Sequence, residues 1–212
     1  MRVKVCGLTR KEDVDICSKI GINALGFILA ESPRRVCIDD VKLLTEDLPP
    51  FINRVAVVMN PEDQLLKGIL ESGLFDYIQF HGKEKPKLIR EYPLLTIKSI
   101  SIGANTPLKE IKDQIKKYKC ADFYLFDSKV GNIKGGTGKS FDWGIFSLLD
   151  INKPFILAGG LGLDNIKTAL MKVKMACVDL NSGLESSPGI KDKDLIINTV
   201  NIINNFSTLN PL

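Results

Sequence analysis

The sequence predicts a single-domain α/β fold, a closed (β/α)8 TIM barrel. Three observations predict it. Eight short runs rich in Val, Ile, Phe and Leu punctuate the chain, helical patterns lie between them, and the runs begin about every 25 residues, near the minimum repeat of such a barrel. The runs are Arg2 to Cys6, Ala24 to Leu29, Arg54 to Met59, Asp76 to Phe80, Leu95 to Ile100, Asp122 to Asp127, Pro154 to Ala158 and Met175 to Leu180. An open doubly wound sheet also alternates strand and helix, but more often has five or six strands at this length.

The helices between have readable starts. Thr9 with Glu12 forms a capping-box pattern, Asn60-Pro61 and Thr106-Pro107 place a cap before a first-turn proline, and Asp164 is placed to cap the segment to Met171. No linker or composition shift divides the chain, so the reading is one domain over residues 1–206 with a loose tail at 207–212. The methionines Met59, Met171 and Met175 and the phenylalanines read as core, and the stretch Lys109 to Lys119 as a solvated helix face.

Composition excludes several classes of function. With 212 residues, 44% hydrophobic and 25% charged, the chain has the profile of a globular protein and can bury a sizeable core without metals or disulfides. No apolar stretch approaches the roughly 20 residues of a membrane-spanning helix, and the charged start MRVKVCGLTRKED is unlike a signal peptide, so a soluble cytoplasmic protein without a membrane partner is expected. The net charge of +4 comes from basic residues interleaved with acidic ones, which argues against nucleic acid as a partner. Five cysteines without C-x-x-C or Cys/His spacing support neither a disulfide framework nor a metal site.

A βα barrel carries its chemistry where strands end, so the last residue of each run and those following it are the candidates. Cys6 and Asp127 end the first and sixth runs and fit a base and an acid facing one another across the barrel mouth. Cys6 equally fits a small buried hydrophobe, and Asp127 a turn residue bonding its own backbone. Lys4 shares a strand face with Cys6, where its charge would favour a thiolate. Gly159-Gly160 and Asn181-Ser182-Gly183 follow the last two runs, where small residues expose backbone N–H groups to phosphate or simply make tight turns. His81, the single histidine, fits a structural role at a strand end as well as a functional one. Two nucleotide motifs fail: Gly138-Lys139-Ser140 lacks the P-loop glycine at Ile133, and Gly160-Leu161-Gly162 lacks the third dinucleotide glycine at Asn165.

Six segments carry a further resemblance: KVCGLTRKED, GFILAESPRR, IQFHG, FD with GGTGKSFDW, LAGGL and VDLNSGLESSPGIKD, in order at six strand ends. Together they resemble phosphoribosylanthranilate isomerase, with Asn181 and Leu184 standing where that family usually has Ser and Val. The resemblance implies a cofactor-free Amadori rearrangement of N-(5-phosphoribosyl)anthranilate in tryptophan biosynthesis. It implies Asp127 as general acid on the ribose ring oxygen and Cys6 as general base on sugar carbon 2. It implies Arg34, rather than Arg35, on the anthranilate carboxylate, Gly160, Ser182 and Gly183 at the phosphate, Asp179 near the sugar hydroxyls, and His81 among the substrate-binding residues, with no metal. Rival readings are a related aminoaldose sugar-phosphate isomerase, whose similar barrels use two aspartates, and a non-catalytic phosphate-ligand-binding barrel. Monomer and homodimer both stand open.

Overall fold

The computed structural model describes residues 1–103, 105–129 and 143–209. Eight strands close into a barrel in sequence order: β1 (Arg2–Cys6), β2 (Ala24–Ile28), β3 (Asn53–Val58), β4 (Tyr77–Phe80), β5 (Leu95–Gly103), β6 (Phe123–Lys129), β7 (Phe155–Ala158) and β8 (Cys177–Leu180). Each strand runs parallel to the next, and β8 pairs back onto β1 with Lys4 opposite Asp179. Every predicted run holds one strand. The fifth runs furthest beyond its prediction, because Ser101, Ile102 and Gly103 continue the ladder opposite Asp127, Ser128 and Lys129.

The strands read as continuous apolar runs because both of their faces are buried. Val3, Val5, Leu25, Phe27, Ile78, Phe80, Phe126 and Leu157 belong to the layer between sheet and helices. Val55, Val57, Ile97, Leu125 and Ile156 fill the barrel interior with Cys6 and Ala158. Burying one such large side chain contributes roughly 1.5–3 kcal/mol, so the two clusters favour the closed barrel over a flat sheet with one wet face.

Around the barrel lie α1 (Lys11–Lys19), α2 (Ile38–Leu44), α3 (Asp63–Ser72), α4 (Pro86–Glu91), α5 (Leu108–Lys117), α6 (Ile166–Lys172) and α7 (Lys193–Leu209), with a 3-10 turn, Trp143–Leu148, before β7. A small antiparallel hairpin, β9 (Glu185–Ser187) and β10 (Ile190–Lys191), follows β8. The lysine-rich α5 shows a solvated face, burying only Ile111.

The predicted caps need correction. Thr9 Oγ1 donates to Gly189 O at 2.6 Å, so it ties α1 to the hairpin instead of capping, and Arg10 is the N-cap. Asn60 Oδ1 accepts from Lys83 N, α3 starts after Glu62, and α5 starts after Pro107 with Thr106 Oγ1 accepting from Gly103 N. Asn165, one residue past the predicted Asp164, precedes α6. Among the described residues a complete capping box is formed by Cys37 and Asp40 on α2. Thr9 and Asn60 join neighbouring βα loops, a tertiary use that local sequence does not announce, and Thr106 closes its own loop.

Helix α7 continues past the predicted end of the folded unit, with Ser207 Oγ donating to Ile203 O and accepting from the Met1 amino group at 3.2 Å. Of the methionines read as core only Met175 is buried; Met59 and Met171 are 51% and 70% exposed, and Phe51 is 96% exposed. Residues 135–142 of the GGTGKSFDW segment, including Gly138-Lys139-Ser140, lie outside the described residues, as do 210–212. Among the described residues no helix is long and apolar enough to cross a membrane.

Candidate active site

Cavities open at both ends of the barrel. The larger, about 340 Å³, lies at the strand starts, and its charged lining residues are Arg2 and Lys4. The smaller, about 290 Å³, lies at the strand ends and gathers Cys6, Gln79, His81, Asp127, Gly160, Asp179, Asn181 and Ser182. A thiol, two carboxylates and an imidazole converge only in the second, which makes it the candidate site despite its size.

Cys6 owes its place to β1. Strand alternation turns Lys4 and Cys6 inward, and both are almost fully buried. Lys4 Nζ sits 2.9 Å from each oxygen of Asp179, so the neighbouring strand's carboxylate takes most of the ammonium's attention. Burial pushes the Cys6 thiol up from its ordinary 9.0, with Lys4 pulling it down and Asp179 adding to the rise. The expected thiolate-favouring Lys4 is therefore present but outweighed. The space is provided by Gly26 on β2: a Cβ there would stand 2.8 Å from Cys6 Sγ and 2.9 Å from Lys4 Nζ.

Asp127, two residues before the end of β6, faces the same cavity, 20% exposed, with Asp127 Oδ2 at 3.5 Å from His81 Nε2. Beneath it on the interior face is Leu125, whereas Phe126 points outward against Phe146 and Phe155. His81 is held low in pKa by burial, with Asp127 opposing that shift and Lys98 adding to it.

Two glycine-rich loops meet backbone to backbone beside these groups. Gly159 and Gly160 have φ of 100° and 60°, conformations that favour glycine. A Cβ on Gly183 would lie 2.8 Å from the Leu161 carbonyl carbon, so the loop after β8 packs directly onto the loop after β7. Gly160 and Ser182 line the cavity, while Gly183 is not among its lining residues.

Arg34 is not among the lining residues either. Its Nε and Nη2 donate to Glu185 Oε1 and Oε2 at 2.8 and 2.6 Å, and Lys191 Nζ adds bonds to Glu185 Oε1 at 2.8 Å and Asn181 Oδ1 at 2.9 Å. Gly7, at φ 72°, lets Arg34 and Asn181 approach, since a Cβ there would meet each at 2.7 Å. Arg35 is exposed. Among the described residues no group of three or more His, Cys, Asp and Glu side chains is placed to hold a metal ion.

Sequence reasoning missed Gly26, Gln79, Glu185 and Lys191. Only a strand-face count from Cys6 and His81 would have found the first two, since the register puts Gly26 opposite Cys6 and alternation puts Gln79 under His81.

Fold and site together define a class, a (β/α)8-barrel enzyme built for acid–base chemistry at the C-terminal mouth. The family model for N-(5'-phosphoribosyl)anthranilate (PRA) isomerase matches residues 3–202. A relative named N-(5'-phosphoribosyl)anthranilate isomerase from Petrotoga mobilis is 48% identical, over 96% of this chain and 97% of its own. The crystal structure of phosphoribosyl anthranilate isomerase from Thermotoga maritima superposes with a TM-score of 0.86 at 31% identity, covering 97% of this chain and 99% of that one. Another phosphoribosyl anthranilate isomerase structure, in complex with reduced 1-(o-carboxyphenylamino)-1-deoxyribulose 5-phosphate, superposes at 0.83 with 29% identity over 96% of this chain and 99% of its own. The chain belongs to the N-(5'-phosphoribosyl)anthranilate isomerase family.

Proposed function

We propose that this protein isomerises N-(5'-phosphoribosyl)anthranilate to 1-(2-carboxyphenylamino)-1-deoxyribulose 5-phosphate, the Amadori step of tryptophan biosynthesis, in the cytoplasm. The observation that carries the reading is the meeting of Cys6 and Asp127, from β1 and β6, in one cavity beside two glycine-rich loops. In this reading Asp127 delivers a proton to the ribose ring oxygen as its bond to carbon 1 breaks, leaving a Schiff base. Cys6, as the thiolate that Lys4 favours against burial, takes the proton from carbon 2 and the electron pair moves into the enolamine. Tautomerisation then returns that proton to carbon 1 and the carbon 2 hydroxyl proton to Asp127, giving the ketone. One acid and one base complete the cycle.

The other site residues serve binding. Gly160, Ser182 and Gly183 take the phosphate, Gly183 by fixing the approach of the two loops. Asp179 is oriented toward the sugar hydroxyls by Lys4. Glu185 occupies two of the five N–H groups of Arg34, and the rest remain for the anthranilate carboxylate. The aminoaldose reading calls for an aspartate where Cys6 stands. These residues lie on one chain, and monomer and homodimer both stand open.

The test is the change in anthranilate fluorescence on adding N-(5'-phosphoribosyl)anthranilate to purified protein, with the imidazole aminoaldose in parallel. Turnover of the first substrate is expected. Turnover of the second alone would replace this reading with its rival.

A further inference from the structure

His81 stands between Gln79 and Asp127 and inside a clamp that the acid–base reading does not use. Below it on the inner face of β4 is Gln79, 2% exposed. Gln79 Nε2 lies 3.2 Å from Ser99 Oγ and 3.5 Å from His81 Nδ1. An amide nitrogen carries two hydrogens, one for each neighbour, so Nδ1 offers its lone pair and the ring proton sits on Nε2. That nitrogen faces Asp127 Oδ2 at 3.5 Å. The reverse orientation of the amide would put an oxygen against Nδ1, draw the ring proton there and leave Nε2 to accept from a protonated Asp127 instead of donating to it. Gln79 Oε1 is buried without a hydrogen-bond partner among the described residues.

The main chain on both sides of His81 is held from the outer layer. Lys98, buried on the outer face of β5, donates through Nζ to Phe80 O at 3.0 Å, Gly82 O at 2.5 Å and Glu84 Oε2 at 2.8 Å. Glu84 Oε1 in turn accepts from Gly82 N at 2.8 Å and Asn60 N at 2.9 Å. A Cβ on Gly82 would collide with both Asn60 and Glu84, so glycine alone fits. One ammonium thus grips the carbonyls immediately before and after His81.

We infer that His81 is a positioning residue for Asp127: Gln79 fixes its neutral, Nε2-protonated tautomer, the Lys98–Glu84 pair fixes its main chain, and its N–H holds one carboxyl oxygen of Asp127. The other oxygen is then the one that carries the proton to substrate. After that proton leaves, the same N–H faces the new carboxylate charge. This rests on the acid role proposed for Asp127, but its first test does not. The charges around the ring are Asp127 on β6, Lys98 on β5, Asp179 on β8 and Lys4 on β1, and with burial they leave the imidazole neutral at pH 7.

Because the chain contains one histidine, a sample labelled with ¹⁵N-histidine and free of any His tag reports His81 alone. Long-range proton–nitrogen spectra of wild type at pH 7 are expected to show a single neutral Nε2–H tautomer, and in Asp127→Asn the ring should titrate at lower pH. Gln79→Met should mix the tautomers and lower kcat about tenfold, the loss of one hydrogen bond's worth of fixation, with KM nearly unchanged and its circular dichroism retained. An Nδ1–H tautomer or a charged ring in wild type would overturn the inference even if Gln79→Met failed to fold. An Nε2–H ring in a protein that does not turn over N-(5'-phosphoribosyl)anthranilate would uphold the tautomer and refute the proposed function instead.

Discussion

Replacing Gly26 by Ala tests whether catalysis depends on the space around Cys6. The added Cβ would stand 2.8 Å from Cys6 Sγ, 2.9 Å from Lys4 Nζ and 3.1 Å from Cys6 Cα. Ordinary contact between such atoms is about 3.5–4 Å, so the sulfur must retreat by roughly 0.7–1.2 Å, and the buried Lys4–Asp179 pair limits where Lys4 can go. Misplacing a reacting group by about 1 Å costs on the order of 10²-fold in rate, while overpacking a core position costs about 1–3 kcal/mol in stability. Gly26→Ala is therefore expected to fold, to melt earlier, and to lose about 10²-fold in kcat with a smaller change in KM. Steady-state kinetics by anthranilate fluorescence together with urea unfolding measure both quantities. A kcat within threefold of wild type would refute the claim that Cys6 works from the position that Gly26 leaves open.

Further outcomes follow from the same geometry. Arg34→Ala should raise KM and also lower kcat, because a substrate with an unanchored carboxylate drifts from Cys6 and Asp127, whereas the exposed Arg35→Ala should do little; reversed effects would show the wrong arginine has been assigned. Glu185→Gln keeps the shape but weakens the charge-assisted grip on Arg34, so a several-fold rise in KM at unchanged fold is expected, and an unaltered KM would remove Glu185 from substrate binding. Cys17 is fully buried, and burial pushes its thiol up to about 12 from an ordinary 9.0. The folded protein thus holds this proton longer than the unfolded chain, so the associated stability is intact below pH 9 and declines as pH rises toward 12. By pH 10 the loss is on the order of 1 kcal/mol, and unfolding curves of Cys17→Ala from pH 8 to 10 should lack that share of the decline.

The barrel was legible because a strand buried on both faces leaves a plain signature, an unbroken apolar run, and eight of them at even spacing leave few alternatives. Strand ends were legible for the same reason, which is why Cys6, His81, Asp127 and Asp179 were found. Their partners were not. Lys4 and Asp179 are 175 residues apart and Arg34 and Glu185 are 151 apart, and no local pattern announces a pairing across the barrel mouth. Thr9 and Asn60 failed as caps because cap-forming residues also serve as loop-to-loop ties, and the choice is made by tertiary contact. Met59 and Met171 looked like core by type, yet hydrophobic residue type alone does not require burial.

The most direct test of the acid–base account is turnover of N-(5'-phosphoribosyl)anthranilate by wild type, Cys6→Ala and Asp127→Asn, followed by anthranilate fluorescence, with circular dichroism to establish folding. The account predicts measurable turnover in wild type and losses of about 10² to 10⁴ in kcat in each folded variant, since each removes one proton-transfer group. Near-normal turnover in either variant would contradict it and remove that residue from the chemistry.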